Sequence, residues 1–306
     1  VAEQGVRFYY QVQSGIGALT SLLEEKAELA HLPGVEFLQV RHLGAPVIAV
    51  AQTAQAISQS IVVATRLARQ ASLTRDSPLR SRLALLRGLT VGITRIGATD
   101  HLFPAYAAQL AGLDGARSLT YVVPGGAGEL LRDLNEGRID AFAQSPPLPE
   151  IALRKGVGTV LVSALGGDFP ALRPFAEALL VTTRETLAGQ EQKLRAVLKG
   201  YVKALRAVRA PEGRQAAIRS LRRAFPKLPE EVVGEAFDAI RPVFDEDGIV
   251  SGEALANVRN FILSSKAPGA PGTLDLPDDL RAVYTNALLP SGDAEAAGMA
   301  GGESPH

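Results

Sequence analysis

"VVPGGAGELLRDLNEGRIDAFAQSPP", from Val122 to Pro147, reads as a strand end, a glycine-rich turn, a helix, a second strand and a proline loop. Its turn invites comparison with a phosphate cradle. A dinucleotide fingerprint needs three glycines: for the turn, for close approach to the pyrophosphate, and for helix packing. Gly126 and Gly128 match the first pair, but Leu131 holds the third position, and Asp140 begins its strand instead of closing one at the ribose distance. A Walker loop is excluded, because the chain has no Gly-Lys-Ser/Thr.

Shifting the sequence against itself by about 112 positions lays this stretch on an earlier one. Leu19 falls on Leu131, Leu22 on Leu134, Glu24 on Glu136, Lys26 on Arg138, Glu28 on Asp140, Gly44 on Gly156, Ile48 on Val160 and Val50 on Val162. Each half reads glycine turn, helix, acidic strand, proline loop, helix, glycine, strand. Similar α/β units share a composition, but a constant offset through helices and strands favours two lobes built alike.

Outward from these repeats, short β-branched runs alternate with helical patterns from Val6 to about Thr182, which points to α/β layers around parallel strands. Strands are expected at "VRFYYQV" from Val6, "VIAVAQ" from Val47, "SIVVA" from Ser60, "LTVGIT" from Leu89, "LTYVV" from Leu119, "IDAFA" from Ile139, "TVLVS" from Thr159 and "ALLVTT" from Ala178. Helices are expected at 18–25, 100–111 and 129–136. Beyond Thr182 the pattern is helical only, with Leu187, Leu194, Val197, Leu198, Tyr201, Val202, Leu205 and Val208 on one stripe, and further helices over 213–224, 229–240 and 251–263. Ser251 suits an N-cap.

The 306 residues are 46% hydrophobic and 21% charged, with 32 basic and 32 acidic side chains, so no net charge points to nucleic acid or an anionic membrane. The absence of cysteine excludes disulfides and thiolate chemistry, and suits an oxidising compartment. No apolar run has bilayer-spanning length. The stretch 291–306 is small and polar without periodicity, and reads as a disordered tail. There is no G-x-S-x-G elbow and no H-E-x-x-H helix; His31, His42, His101 and His306 are scattered. No catalytic, metal or cofactor residue is therefore assigned. His31 ends the acidic strand, where it either makes a structural hydrogen bond or faces a ligand. The basic run from Lys193 to Lys227 reads as a solvated helical face.

In parallel α/β sheets ligands sit beyond the carboxyl ends of strands, where helix N-termini direct free N–H groups. The loops at that edge are "SGIG" at Ser14, "HLPG" at His31, "AQT" at Ala51, "TRIGATDH" at Thr94, "PGGAG" at Pro124 and "QSPP" at Gln144. Two lobes facing across them form a clamp.

"LRGLTVGITRIGATDHLFPAYAAQLAGLD" from Leu86 and "VPGGAGELLRDLNEGRIDAFAQSPPLPEIA" from Val123 resemble the periplasmic substrate-binding proteins of ABC transporters, in the nitrate, sulfonate, taurine and thiamine-pyrimidine-precursor group. "GALTSLLEEKAELAHLPGVEFL", "GAPVIAVAQ" and "SIVV" have the same look. The resemblance covers Val1 to Leu187, and the helical remainder generally, through many weak matches. It implies a two-lobe type II periplasmic binding protein fold, with a cleft between the lobes and a helical C-terminal region. Lobe one would hold residues 1–87 and 179–290, and lobe two 88–178. Crossings would lie at 64–89 and 175–183. It also implies a strand and a ligand-contacting loop ahead of the "VAEQ" opening, and a compressed register from Gln4 to Val12.

Carried over by position, the resemblance places Gly97, Ala98, Thr99 and Asp100 against ligand, with Ser145 and Pro146, their counterparts Leu32 and Pro33, and Gln52 and Thr53. His101, which closes its loop, and Gly126, in the glycine turn, complete the expected cleft. The implied partners are a small-molecule ligand and an ABC permease, for a monomer that is periplasmic or extracytoplasmic. An enzyme on the same fold, related to thiamine-pyrimidine synthesis, is the alternative, although such relatives carry cysteine and histidine motifs. A ligand-sensing module would need a fused domain.

Helix N-termini and Thr99 favour an anion such as a sulfonate; Asp100 opposes one unless it caps its own helix. Facing the cleft, Asp100 would favour an amine or a pyrimidine. At about 1.5 kcal/mol per heavy atom a four-atom ion reaches only about 6 kcal/mol, which places nitrate last.

Overall fold

The structure, a computed structural model, describes residue 7 and residues 9–290. In chain order the elements are α1 (Gly15–Leu23), β1 (Ala30–Pro33), α2 (Gly34–His42), β2 (Val47–Ala54), β3 (Ser60–Ala64), α3 (Thr65–Gln70), α4 (Leu79–Ala84), β4 (Thr90–Gly92), α5 (Thr99–Leu110), β5 (Thr120–Val122), α6 (Ala127–Asn135), β6 (Ala141–Gln144), α7 (Leu148–Arg154), β7 (Gly158–Ser163) and β8 (Ala178–Thr183). Helices α8 (Arg184–Gly189), α9 (Glu191–Arg209), α10 (Arg214–Ala224), α11 (Glu230–Ile240) and α12 (Gly252–Ser265) follow. The repeat at about 112 positions is structural as well: α1, β1, α2 and β2 reappear in order as α6, β6, α7 and β7.

The strands form two sheets, β1-β8-β2 and β5-β4-β6-β3-β7. Each contains a strand supplied by the other half of the chain. β3 follows β2 but runs antiparallel between β6 and β7, and β8 follows β7 but runs antiparallel between β1 and β2. The first sheet is therefore antiparallel and the second mixed, rather than parallel; parallel strand pairing is confined to β4 with β5 and β6. The first crossing is also earlier than expected. It lies between Ala54 and Ser60 instead of 64–89, because β3, buried at all five positions, belongs in the middle of the second sheet. The chain returns between Ser163 and Ala178.

The "VRFYYQV" segment is not a strand where it is described, while Val6 and Phe8 lie outside the described residues, as does 291–306. Tyr9, Tyr10 and Val12 are 83%, 74% and 87% exposed. A strand without a hydrogen-bonded neighbour is not stable in water, and among the described residues β1 pairs only with β8.

Behind the sheets one buried core is continuous across both, from Leu22 and Val35 to Leu86, Phe103, Phe169 and Phe261. α5 packs on α12, with Phe103 edge-on to Phe169 at 5.1 Å and Phe175 edge-on to Phe261 at 5.5 Å. The α9 stripe is as expected, with Leu194, Val197, Leu198, Val202 and Leu205 buried. The basic face beyond it is paired with acids, as in Lys193 with Glu28, Arg209 with Glu246, Arg214 with Asp238 and Arg222 with Glu230. Ser251 caps α12 by accepting the Ala254 N–H at 3.3 Å.

A buried ion pair locks the second sheet's edge. Arg82 donates to Asp168 Oδ1 at 2.7 Å and Oδ2 at 3.0 Å, and to the Leu161 carbonyl at 2.8 Å. Burial works against the Asp168 charge, but Arg82, the Ser163 N–H and Arg75 outweigh it and hold its pKa below the usual range. Asp168→Ala would leave the Arg82 guanidinium, 6% exposed, without its carboxylate. The expected cost is about 3 to 5 kcal/mol, read as a fall in the urea midpoint at unchanged slope.

Candidate functional site

A cavity of about 400 Å³ opens between the two sheets, with walls from both. The first sheet's side supplies His31 and Pro33 of β1, Glu36 of α2, Ala54 of β2, and Glu177 and Ala178 at the start of β8. Facing them are Thr94 and Ala98 after β4, Thr99 and Asp100 at the start of α5, and Gln144, Ser145 and Pro146 at the end of β6. Ser58 and Gln59, in the crossing, close one end. Ile240, which ends α11, with Val243 and Phe244 just after it, forms an apolar wall.

The pleat decides which expected residues reach this space. Along β1 burial alternates, so Ala30 and Leu32 enter the core while His31 and Pro33 turn to the cavity. Of the expected contacts, Pro33, Ala98, Thr99, Asp100, Ser145 and Pro146 line the cavity. Leu32, Gln52, Thr53, Gly97, His101 and Gly126 do not, and each departure has a physical reason. Leu32 is 1% exposed in the core. Gln52 donates to Asp245 Oδ2 at 3.1 Å, and Asp245 N donates to the Thr53 carbonyl, tethering the segment that carries Val243 and Phe244 against β2. Thr53 stands behind His31. Gly97, at φ +81°, accepts the Gln39 amide at 3.0 Å and donates its N–H to His101 Nδ1. His101 is fully buried against Tyr121, and burial lowers its pKa to about 4, so the ring is neutral.

Gly126 answers the question raised by the glycine turn. Gly125 turns the chain at φ +127°, and the Gly126 N–H donates to Glu129 Oε2 at 3.1 Å. The α6 N-terminus already holds its own carboxylate, where a phosphate would have sat.

Asp100 faces the cleft. Ala98, not Asp100, is the N-cap of α5, and Asp100 Oδ2 accepts the Thr94 N–H at 2.6 Å and the Gln144 amide at 3.0 Å. Its Oδ1 is buried without a partner, and burial raises its pKa. Glu177 is the second carboxyl of the cavity. Burial pushes it up to about 8 against hydrogen bonds from the Ser58 N–H and hydroxyl, and its Oε2 has no partner. Glu36 is ion-paired with Arg95, joining α2 to the loop after β4.

His31 makes the structural bond and also faces the cavity. Thr53 Oγ1 donates to the Ala178 carbonyl at 3.2 Å, so in the 2.7 Å contact with His31 Nε2 it accepts, and the ring carries its proton on Nε2. Enclosure by the cavity wall holds the His31 pKa below its usual value.

Sequence reasoning missed Glu36, Ser58, Gln59, Glu177 and the Ile240–Phe244 wall. "HLPG" and "QSPP" did point to His31 and Gln144. The late wall had no local signal, because it is brought here by long-range bonds to β2 and the residue after it, from Gln52 to Asp245 and from the Gln55 N–H to the Val243 carbonyl at 2.8 Å.

Residues 6–222 match the NMT1-like family, well over half of the chain. The chain belongs to that family. The NMT1-like chain also superposes on solved structures. The alkanesulfonate-binding protein SsuA from Xanthomonas axonopodis pv. citri, bound to MOPS, is 16% identical at a TM-score of 0.67 over 89% of this chain and 84% of that one. SsuA of Escherichia coli, a periplasmic aliphatic sulphonate binding protein, is 20% identical at 0.62 over 82% and 73%. The periplasmic nitrate-binding protein NrtA from Synechocystis PCC 6803 is 15% identical at 0.63 over 94% and 78%. At these identities the likeness is one of fold: this NMT1-like chain has the periplasmic binding protein fold. Comparison with curated proteins finds no match. Among the described residues no helix is long and apolar enough to cross a membrane.

Proposed function

We propose that this chain is the solute receptor of an ABC-type importer, binding a small organic ligand between its sheets and delivering it to a membrane permease. One observation carries the reading: a cavity whose polar groups come from strand ends and helix starts of both sheets, in a family member with the periplasmic binding protein fold. The two lobes divide at the crossings on either side of the central strands. A monomer in the periplasm or another extracytoplasmic space belongs to the same proposal. The cross-lobe links, Glu36 with Arg95 and Gln39 with Gly97, are the kind that re-form on each closure.

Thermal-shift measurements against sulfonates, pyrimidines, amines and carboxylates test it. Ligand at about 100 times its Kd adds about 2.7 kcal/mol, so one class should raise Tm by about 5 °C or more, without being turned over. A flat response to every class removes the support for a receptor.

A further inference from the structure

We propose, on the reading that the cavity is a ligand site, that its occupant is a small organic ammonium ion rather than an oxyanion. The orphaned polar atoms of the wall decide the sign. Asp100 Oδ1 and Gln59 Oε1 have no hydrogen-bond partner, and their residues are 3% and 8% exposed; Glu177 Oε2 is likewise buried and unpartnered. As carboxylates and an amide carbonyl all three are acceptors; Glu177, which burial keeps protonated up to about pH 8, yields its proton to take that part beside a cation. A buried acceptor left unpaired is destabilising, more so when charged, and only a donor repairs it. An amide can rotate, so the carboxyls carry the greater weight.

The cations are elsewhere. No lysine or arginine lines the cavity. Arg95, the guanidinium nearest Asp100, gives one nitrogen to Glu36 and another to the Ile96 carbonyl. His31 holds Nε2 against Thr53 Oγ1, and desolvation disfavours its charged form. The α5 N-terminus would attract an anion in isolation, but Asp100 already stands in its first turn. An oxyanion would meet the Asp100 carboxyl at close range, with no free counter-charge. An ammonium group reverses every term: it donates to the orphaned oxygens, neutralises the carboxyls and presents its carbon chain to Val243 and Phe244, whose ring face also favours a cation. A bare metal ion is a poorer fit, since among the described residues no group of three His or carboxylate side chains can hold one.

The test uses the full chain with three sets of probes: 2-aminoethanol, putrescine and agmatine; isethionate, ethanesulfonate and nitrate; and neutral cytosine. Tm and isothermal titration should respond to the ammonium compounds alone, at one site per chain. Glu177→Gln and Asp100→Asn should each weaken that binding at least tenfold, and the first should fold at least as stably as the parent. If isethionate, nitrate or cytosine binds and the ammonium compounds do not, the charge assignment fails while the receptor stands. If no probe of any charge binds, both fail. Ammonium binding that survives both substitutions also overturns the assignment.

Discussion

Gly34→Ala is expected to destabilise the protein by about 3 kcal/mol and to abolish ligand binding with it. On an exposed helix the same change would stabilise by up to about 1 kcal/mol, since alanine is the better helix former. Here the new Cβ would lie 1.8 Å from the Ala176 carbonyl oxygen, a backbone atom that can move only by displacing β8. Gly34 is held there by its own N–H, which donates to the Glu177 carbonyl at 3.0 Å. Relieving the clash must therefore shift Glu177, whose Oε2 is one of the cavity's unpartnered oxygens. Urea denaturation gives the stability term, and thermal shift with ligand gives the binding term. A stable variant with intact binding would mean that the β1–β8 edge does not set the site.

Glu177→Gln is expected to do the opposite to stability while still losing ligand. The folded carboxyl titrates at about 8 because burial penalises its charge, against 4.5 for the free group. Below the unfolded value both states are protonated and the group is neutral toward folding. Between about 4.5 and 8 the unfolded chain loses its proton first, so the wild type loses stability as pH rises, and the full cost is present above 8. Glutamine removes that cost and can still accept from Ser58 through its carbonyl. The variant should gain on the order of 5 kcal/mol at pH 8.5 and about nothing at pH 4. Denaturant midpoints at the two pH values read the difference; a pH-independent effect would place the Glu177 carboxyl in water.

The repeat was legible because helices and strands are local: the 3.6 and 2.0 periodicities of Leu131, Leu134, Val160 and Val162 survive in sequence whatever they pack on. Strand order was not. "SIVVA" reads as a strand in either sheet, and its place between β6 and β7 is set by pairing across about eighty residues or more, from Ser60 to Gln144 and Ser163. Half of the expected residues line the cavity, and most of them come from loops at strand ends, where Thr99, Asp100 and Ser145 lie. The misses are matters of side-chain direction, as with Leu32 beside His31, or of long-range tethering, as with Phe244 held through Asp245. The glycine turn shows the same limit: its backbone was read correctly as a helix start, but whether an outside anion or Glu129 fills that start depends on a side chain three residues on.

Isothermal titration of the full chain with the ligand found by thermal shift, beside Asp100→Asn and Glu177→Gln, tests the central claim most directly. One site per chain, weakened at least tenfold by either substitution, is the expected result. Binding of undiminished affinity in both variants would place the ligand outside this cavity and contradict the account.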